Sequence, residues 1–180
     1  MKQVRPEASC ELKVKERYEY YDIEGSTLPD LQKEIKHNGT KWGDGLTYAA
    51  VTTWNVHYDY DVTEDDGRCS VKSVKTSVDI VYHLPRWIAP NSAGSLLSSW
   101  HDYMVHLKQH EFGHKEIAVK SAGEINEVLA SLQNFRNESD LEKEAKRRTD
   151  AKLRELKELQ VAYDARTRHG ETQGAVLASK

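Results

Sequence analysis

Cysteine is scarce in this chain: Cys10 and Cys69 are the only two among 180 residues, and they fall in no C-x-x-C spacing of the kind that binds metal. Two widely separated thiols suit either one disulfide in an oxidising compartment, tying the N-terminal arm to the strand that begins near Cys69, or two free cysteines. Long apolar runs are missing as well. Nothing approaches the roughly 18 consecutive apolar residues of a membrane helix, so stable membrane insertion is not expected. Residues 1–16 hold no apolar stretch that would serve as a signal peptide, although a mature domain in which Met1 replaces an export signal reads the same way. Nor does one charge predominate: 26 Lys and Arg stand against 29 Asp and Glu, a formal net charge of −3, with no basic block set apart from acids. That balance argues against a nucleic acid or an anionic bilayer as partner. The length suits one domain, able to bury a core without covalent or metal staples. Oligomeric state leaves no trace in the composition.

What is present is a change of hydrophobic period partway along. Residues 12–23 alternate and are rich in Tyr and Val, which predicts a strand ended by Glu24-Gly25-Ser26. Thr27 caps a short helix with Leu31 and Ile35 four apart, stopped by Asn38-Gly39. A loop through Trp42-Gly43-Asp44-Gly45 leads to a β-prone run over residues 46–62. Glu64-Asp65-Asp66-Gly67 turns it into a second run over 69–84, and the two predict a β-hairpin. Pro85 and Pro90 close the sheet portion.

From Ser95 the period becomes helical, with one face running from Trp100 through Leu107, Glu111, His114 and Ile125 to Leu132. Ser139-Asp140-Leu141-Glu142 reads as a capping box that opens a charged helix to about Tyr163, with a narrow stripe of Leu141, Ala145, Leu153, Leu156 and Leu159. The expected fold is α+β: a small antiparallel sheet, made of the hairpin plus the N-terminal strand, packs on the long helix, which pairs with an antiparallel C-terminal helix. It forms a single domain over 1–180, β-rich over 10–85 and helical over 92–165, with a C-terminal segment over 163–170.

His110-Glu111-Phe112-Gly113-His114 carries the chemistry. Residues four apart share a helical face, so both imidazoles can reach one zinc ion while Glu111 stays close enough to take the proton of its water. The third ligand follows from counting. Both histidines lie roughly 35 Å along the helix axis from the loop near Arg136, at about 1.5 Å per residue. An equal distance out along the returning helix reaches Tyr163, so Tyr163-Asp164-Ala165-Arg166-Thr167-Arg168-His169-Gly170 arrives at the level of the histidines. His169 is the favoured third ligand. Asp164 either ligates directly or hydrogen-bonds a ligand histidine, and Glu124 serves only if the helix breaks at Gly123. Tyr163, Arg166 and Arg168 are candidate oxyanion donors.

His106 continues the four-residue spacing, but three consecutive turns span about 12 Å, too far for one ion to bind the outer pair. It reads as a core-edge or supporting residue. His37, His57, His83 and His101 lie on other elements and read as ordinary polar residues, with His83 or His101 able to approach the cleft.

Five stretches occur in order over nearly the whole chain: Tyr21-Asp22-Ile23-Glu24-Gly25-Ser26-Thr27, Tyr48-Ala49-Ala50-Val51-Thr52-Thr53-Trp54-Asn55-Val56, Leu84-Pro85-Arg86-Trp87, Trp100 followed by the histidine motif, and the 163–170 segment. On these the chain resembles a bacterial family catalogued as domain of unknown function nine-two-two, whose members are described as predicted secreted zinc-dependent proteases. The resemblance implies a periplasmic or secreted location and a peptidase assignment that itself rests on the zinc motif.

The expected function is therefore a zinc-dependent endopeptidase acting on protein or peptide substrates, with Zn2+ held by His110, His114 and His169 and Glu111 as general base. An extended substrate would pair with strand 69–84, which leads into the motif helix. The alternative is a non-catalytic module in which zinc is structural or the site vestigial, and the helix pair docks a partner. A structural site needs no general base, so Glu111 weighs against it.

Overall fold

The change of hydrophobic period at Ser95 marks where the two long helices begin. A computed structural model describes residues 8–88 and 94–178; Pro90 lies outside these. The order is β1 (Ser9–Ile23), α1 (Leu28–Asn38), β2 (Thr40–Lys41), β3 (Thr47–Tyr48), β4 (Val51–Asp65), β5 (Arg68–Trp87), α2 (Ser95–Ala130), α3 (Glu138–Thr167) and a 3₁₀ turn, Glu171–Gln173. Among the described residues this is a mixed α+β fold with a three-stranded sheet, a two-stranded sheet and three α-helices. No helix among the described residues is long and apolar enough to cross a membrane.

Local chemistry accounts for most boundaries. Asp66 and Gly67 both have positive φ, 50° and 68°, the left-handed pair that lets a two-residue turn follow the twist of β4 and β5. Thr27 Oγ1 accepts from Asp30 N at 3.3 Å while Asp30 Oδ2 accepts from Thr27 N at 3.1 Å, a reciprocal cap on α1.

Elsewhere the structure differs from expectation. The run over 46–62 is interrupted at Ala49-Ala50, and its first part pairs as β3 with β2, so the expected loop carries a second, two-stranded sheet. β5 continues through Pro85 to Trp87, since proline removes one ladder donor but fits extended backbone. α3 is capped by Asn137 rather than Ser139: Asn137 Oδ1 accepts from Asp140 N at 2.9 Å, the same chemistry two residues earlier. The sheet order β1-β5-β4 puts β5 in the centre, with both edges paired. The expected substrate strand 69–84 therefore has no free edge to offer. The edges belong to β1 and β4.

The chain forms two compact units, and β1, β4, β5, α2 and α3 contribute residues to both. The first contains the described part of Met1–Lys15, with Asn55–Asp79 and Ile117–Leu159. Its core packs Cys69, Val71 and Val74 of β5 against Ile125 and Leu129 of α2 and Leu141 and Ala145 of α3. Lys152 reaches Glu124 at 2.8 Å, and Tyr58 Oη meets the buried Thr149 hydroxyl at 2.9 Å. Cys69 is a free thiol in this core and Cys10 a free exposed one, so no disulfide joins them.

The second unit contains Glu16–Trp54, Ile80–Glu116 and the described part of Gln160–Lys180. Ile23, Leu31, Ile80, Tyr82 and Leu84 are fully buried in it. Trp87 closes one end, donating its indole N–H to Gly25 O at 3.0 Å with its ring against Trp100. His110, Glu111, His114 and Asp164 all belong to this unit.

Candidate metal centre

Three strands of the second unit hold the motif turn of α2. From β1, Glu16 accepts from Lys115 Nζ at 2.6 Å and from Tyr82 Oη of β5 at 2.8 Å. Also from β5, the Tyr82 ring meets Phe112 edge-on at 5.3 Å between centroids. From β4, Thr52 Oγ1 donates to Glu111 Oε2 at 2.5 Å. Phe112 is thus the partly exposed anchor between the buried Glu111 and the close-packed Gly113, which explains the order of residues inside the motif. His110, Glu111 and His114 are all buried.

The end of α3 brings the opposing charge. Asp164 Oδ1 lies 3.2 Å from His110 Nε2 and 3.0 Å from His114 Nε2. One donor atom from each of His110, His114 and Asp164 lies within 4.8 Å of the others, the only such group of three among the described residues. Burial alone would raise the Asp164 pKa, but hydrogen bonds from both imidazoles and the charges of His114 and His169 hold it well below the usual carboxylate range. Burial likewise works against charge on His114, yet the contacts to Asp164 and Gln160 outweigh it and its pKa is raised. For Glu111, burial dominates and raises the carboxyl, while the Thr52 hydrogen bond and the charges of His114 and His110 pull it down.

The outer nitrogens of both histidines are also engaged. His110 Nδ1 lies 2.9 Å from Gln173 Oε1, and His114 Nδ1 lies 2.5 Å from Gln160 Oε1. Gln160 Nε2 donates to the backbone oxygen of His114 at 3.0 Å. Gln173 Nε2 donates at 3.2 Å to Tyr163 Oη, which in turn donates to the backbone oxygen of His110 at 3.1 Å. The Tyr163 ring stacks on His110, 5.0 Å between centroids and 9° from parallel. Sequence reasoning missed Gln160, Gln173 and Thr52. Gln160 carried a signal, since it continues the buried stripe of α3 from Leu156 to Tyr163 and Thr167; Gln173 and Thr52 carried none.

The residues singled out from sequence fall as follows. His169, ranked ahead of Asp164 as third ligand, lies outside the convergent group: its Nδ1 is 3.5 Å from Asp164 Oδ1, its side chain is half exposed, and its ring rests against Tyr48 at 4.9 Å. Arg168, His169 and Gly170 all have left-handed φ, 49°, 53° and 87°, and this turn sets Gly170 against the His110 ring. Tyr163 has its hydroxyl committed to His110, Arg166 lies over the Tyr163 ring at 5.7 Å, and Arg168 is exposed. α2 runs unbroken through Gly123, and Glu124 pairs with Lys152 in the first unit. His106 packs against Gly174. His83 and His101 lie 3.2 and 3.6 Å from Glu19 and Asp102.

Two imidazole nitrogens and a carboxylate oxygen facing one point form a donor set of the kind zinc takes. The fit is improved because both Nδ1 atoms already face amide oxygens, which leaves the Nε2 atoms to converge. An α+β protein with a convergent histidine, histidine and carboxylate group beside a buried glutamate is the class that fold and site define. The chain belongs to the family described as bacterial protein of unknown function (DUF922), which matches it over residues 18–170. No curated protein and no solved structure matches it.

Proposed function

We propose that this protein is a zinc-dependent endopeptidase whose metal is held by His110, His114 and Asp164 on the paired, antiparallel α2 and α3, and which acts outside the bacterial cytoplasm. The observation that carries the reading is the convergence of both Nε2 atoms and Asp164 Oδ1 directly beside the buried Glu111. Zinc bound there would act as a Lewis acid and lower the pKa of a water toward about 7. Glu111 takes the proton of the attacking water and delivers it to the leaving amine. Thr52 orients the Glu111 carboxylate for this by donating its hydroxyl to Oε2. His169, half exposed and 3.5 Å from Asp164, supports the carboxylate or completes the ligand set once metal binds.

An extended substrate pairs along the edge strand β4, because β4 carries Thr52 and so passes beside the general base. A vestigial or purely structural zinc site is the competing reading. It gives no role to a carboxylate kept buried with a single hydroxyl donor. Zinc content and cleavage of an unfolded protein are to be measured for wild type and Glu111→Gln. The expected result is one zinc in both proteins and cleavage by wild type alone; equal zinc with no cleavage by either would favour the structural site.

A further inference from the structure

We infer that Gln160 and Gln173 are positioning residues that fix His110 and His114 in the Nδ1–H tautomer and thereby present both Nε2 lone pairs to a metal. The inference rests on the metal-site reading above, and it follows from where each amide must point. A glutamine amide has a donor end and an acceptor end, so committing one end determines the other. Gln160 spends its donor end on the backbone oxygen of His114, which cannot donate in return. Its Oε1 therefore faces His114 Nδ1, which must carry the hydrogen.

Gln173 solves the same problem through a relay. The Tyr163 hydroxyl has two acceptors in reach, the backbone oxygen of His110 at 3.1 Å and Gln173 Oε1 at 3.4 Å; donating to the nearer, it meets Gln173 Nε2 as an acceptor at 3.2 Å. Gln173 Oε1 is left to accept from His110 Nδ1. Each glutamine thus reads the backbone carbonyl of a histidine and sets the tautomer of that same histidine, one directly and one through a phenol. Gln160 is buried on α3. Gln173 is delivered by the left-handed Arg168-His169-Gly170 turn and the 3₁₀ turn after it, which gives that unusual backbone a purpose.

The choice of amide rather than carboxylate also matters. A carboxylate beside Nδ1 makes a ligand imidazole more basic and adds negative charge to the centre. Two neutral amides fix orientation without adding charge, leaving Asp164 and Glu111 as the acidic groups there.

The test uses the full chain and zinc alone as probe. Long-range 1H–15N NMR on metal-free Asp164→Ala at alkaline pH, in which no carboxylate competes for the Nε2 atoms, should give Nδ1–H for both rings. Gln160→Ala and Gln173→Ala, checked for an unchanged circular dichroism spectrum, should lose zinc affinity by about tenfold to a hundredfold in chelator competition. An Nε2–H tautomer in either ring of that Asp164→Ala variant, or folded alanine variants of either glutamine within about twofold of wild-type affinity, would overturn the inference. If the wild type takes up no zinc, the metal reading fails, while the tautomers of the metal-free rings still decide the role of the two glutamines.

Discussion

The Tyr163 hydroxyl occupies the space into which a side chain at Gly113 would project. In a helix interior, replacing glycine by alanine ordinarily stabilises by roughly 0.5–1 kcal/mol. At Gly113 the sign should reverse. The added methyl meets a buried phenol that is fixed by stacking on His110 and by donating to its backbone oxygen. Gly113→Ala is expected to cost about 1–3 kcal/mol, as overpacking does, and to weaken zinc binding by shifting the His110 ring. Urea unfolding checks the first part and chelator competition the second. A stabilised variant would mean that Tyr163 does not clamp this turn.

Asp164 and His169 compete for one role, and substitution separates them. Asp164→Ala should lower zinc affinity by at least about tenfold, because its Oδ1 is the atom both Nε2 nitrogens face. His169→Ala should lose less, since its ring is half exposed and touches the centre only through Asp164 at 3.5 Å. The measurement is the zinc dissociation constant of each single variant. The reverse order would make His169 the third donor and Asp164 its support.

The outcome at these two residues shows what a sequence can and cannot say about such a site. His110, Glu111 and His114 were legible because four-residue spacing fixes a helical face whatever the surroundings. That the 163–170 segment reaches their level was legible too, from equal path lengths along two helices. Which of its side chains turns inward was not, because it depends on where α3 stops. The helix continues to Thr167, so Asp164 keeps its helical direction, while Arg168 and His169 enter left-handed backbone and His169 swings outward. In the sheet, alternation in 69–84 identified a strand and its two faces but carried no information on its neighbours, so the central place of β5 was invisible. The cap of α3 is Asn137 and not the expected Ser139, a difference of two residues between side chains that cap by the same chemistry.

Thr52 and Glu111 link the site to pH. Burial is the largest influence on Glu111 and raises its pKa, with the Thr52 hydrogen bond the first of the contacts pulling it back. Thr52→Val removes that donor, so the pKa should rise further. A general base must be ionised, so the acidic limb of the kcat/KM profile should move to higher pH in the variant. Stability gives a second readout, independent of catalysis. A carboxyl whose folded pKa lies above its unfolded value, about 4.3, contributes stability that is complete below that value and is lost as pH rises through the folded pKa. In the wild type Thr52 limits the loss by hydrogen-bonding the carboxylate. The deficit of metal-free Thr52→Val should therefore be small in acid and grow to about 1–3 kcal/mol once Glu111 ionises, the cost of an unsatisfied buried acceptor. Urea unfolding of both proteins across that pH range measures it. A deficit independent of pH would show that the hydroxyl supports packing alone, and that Glu111 carries its charge without help from β4.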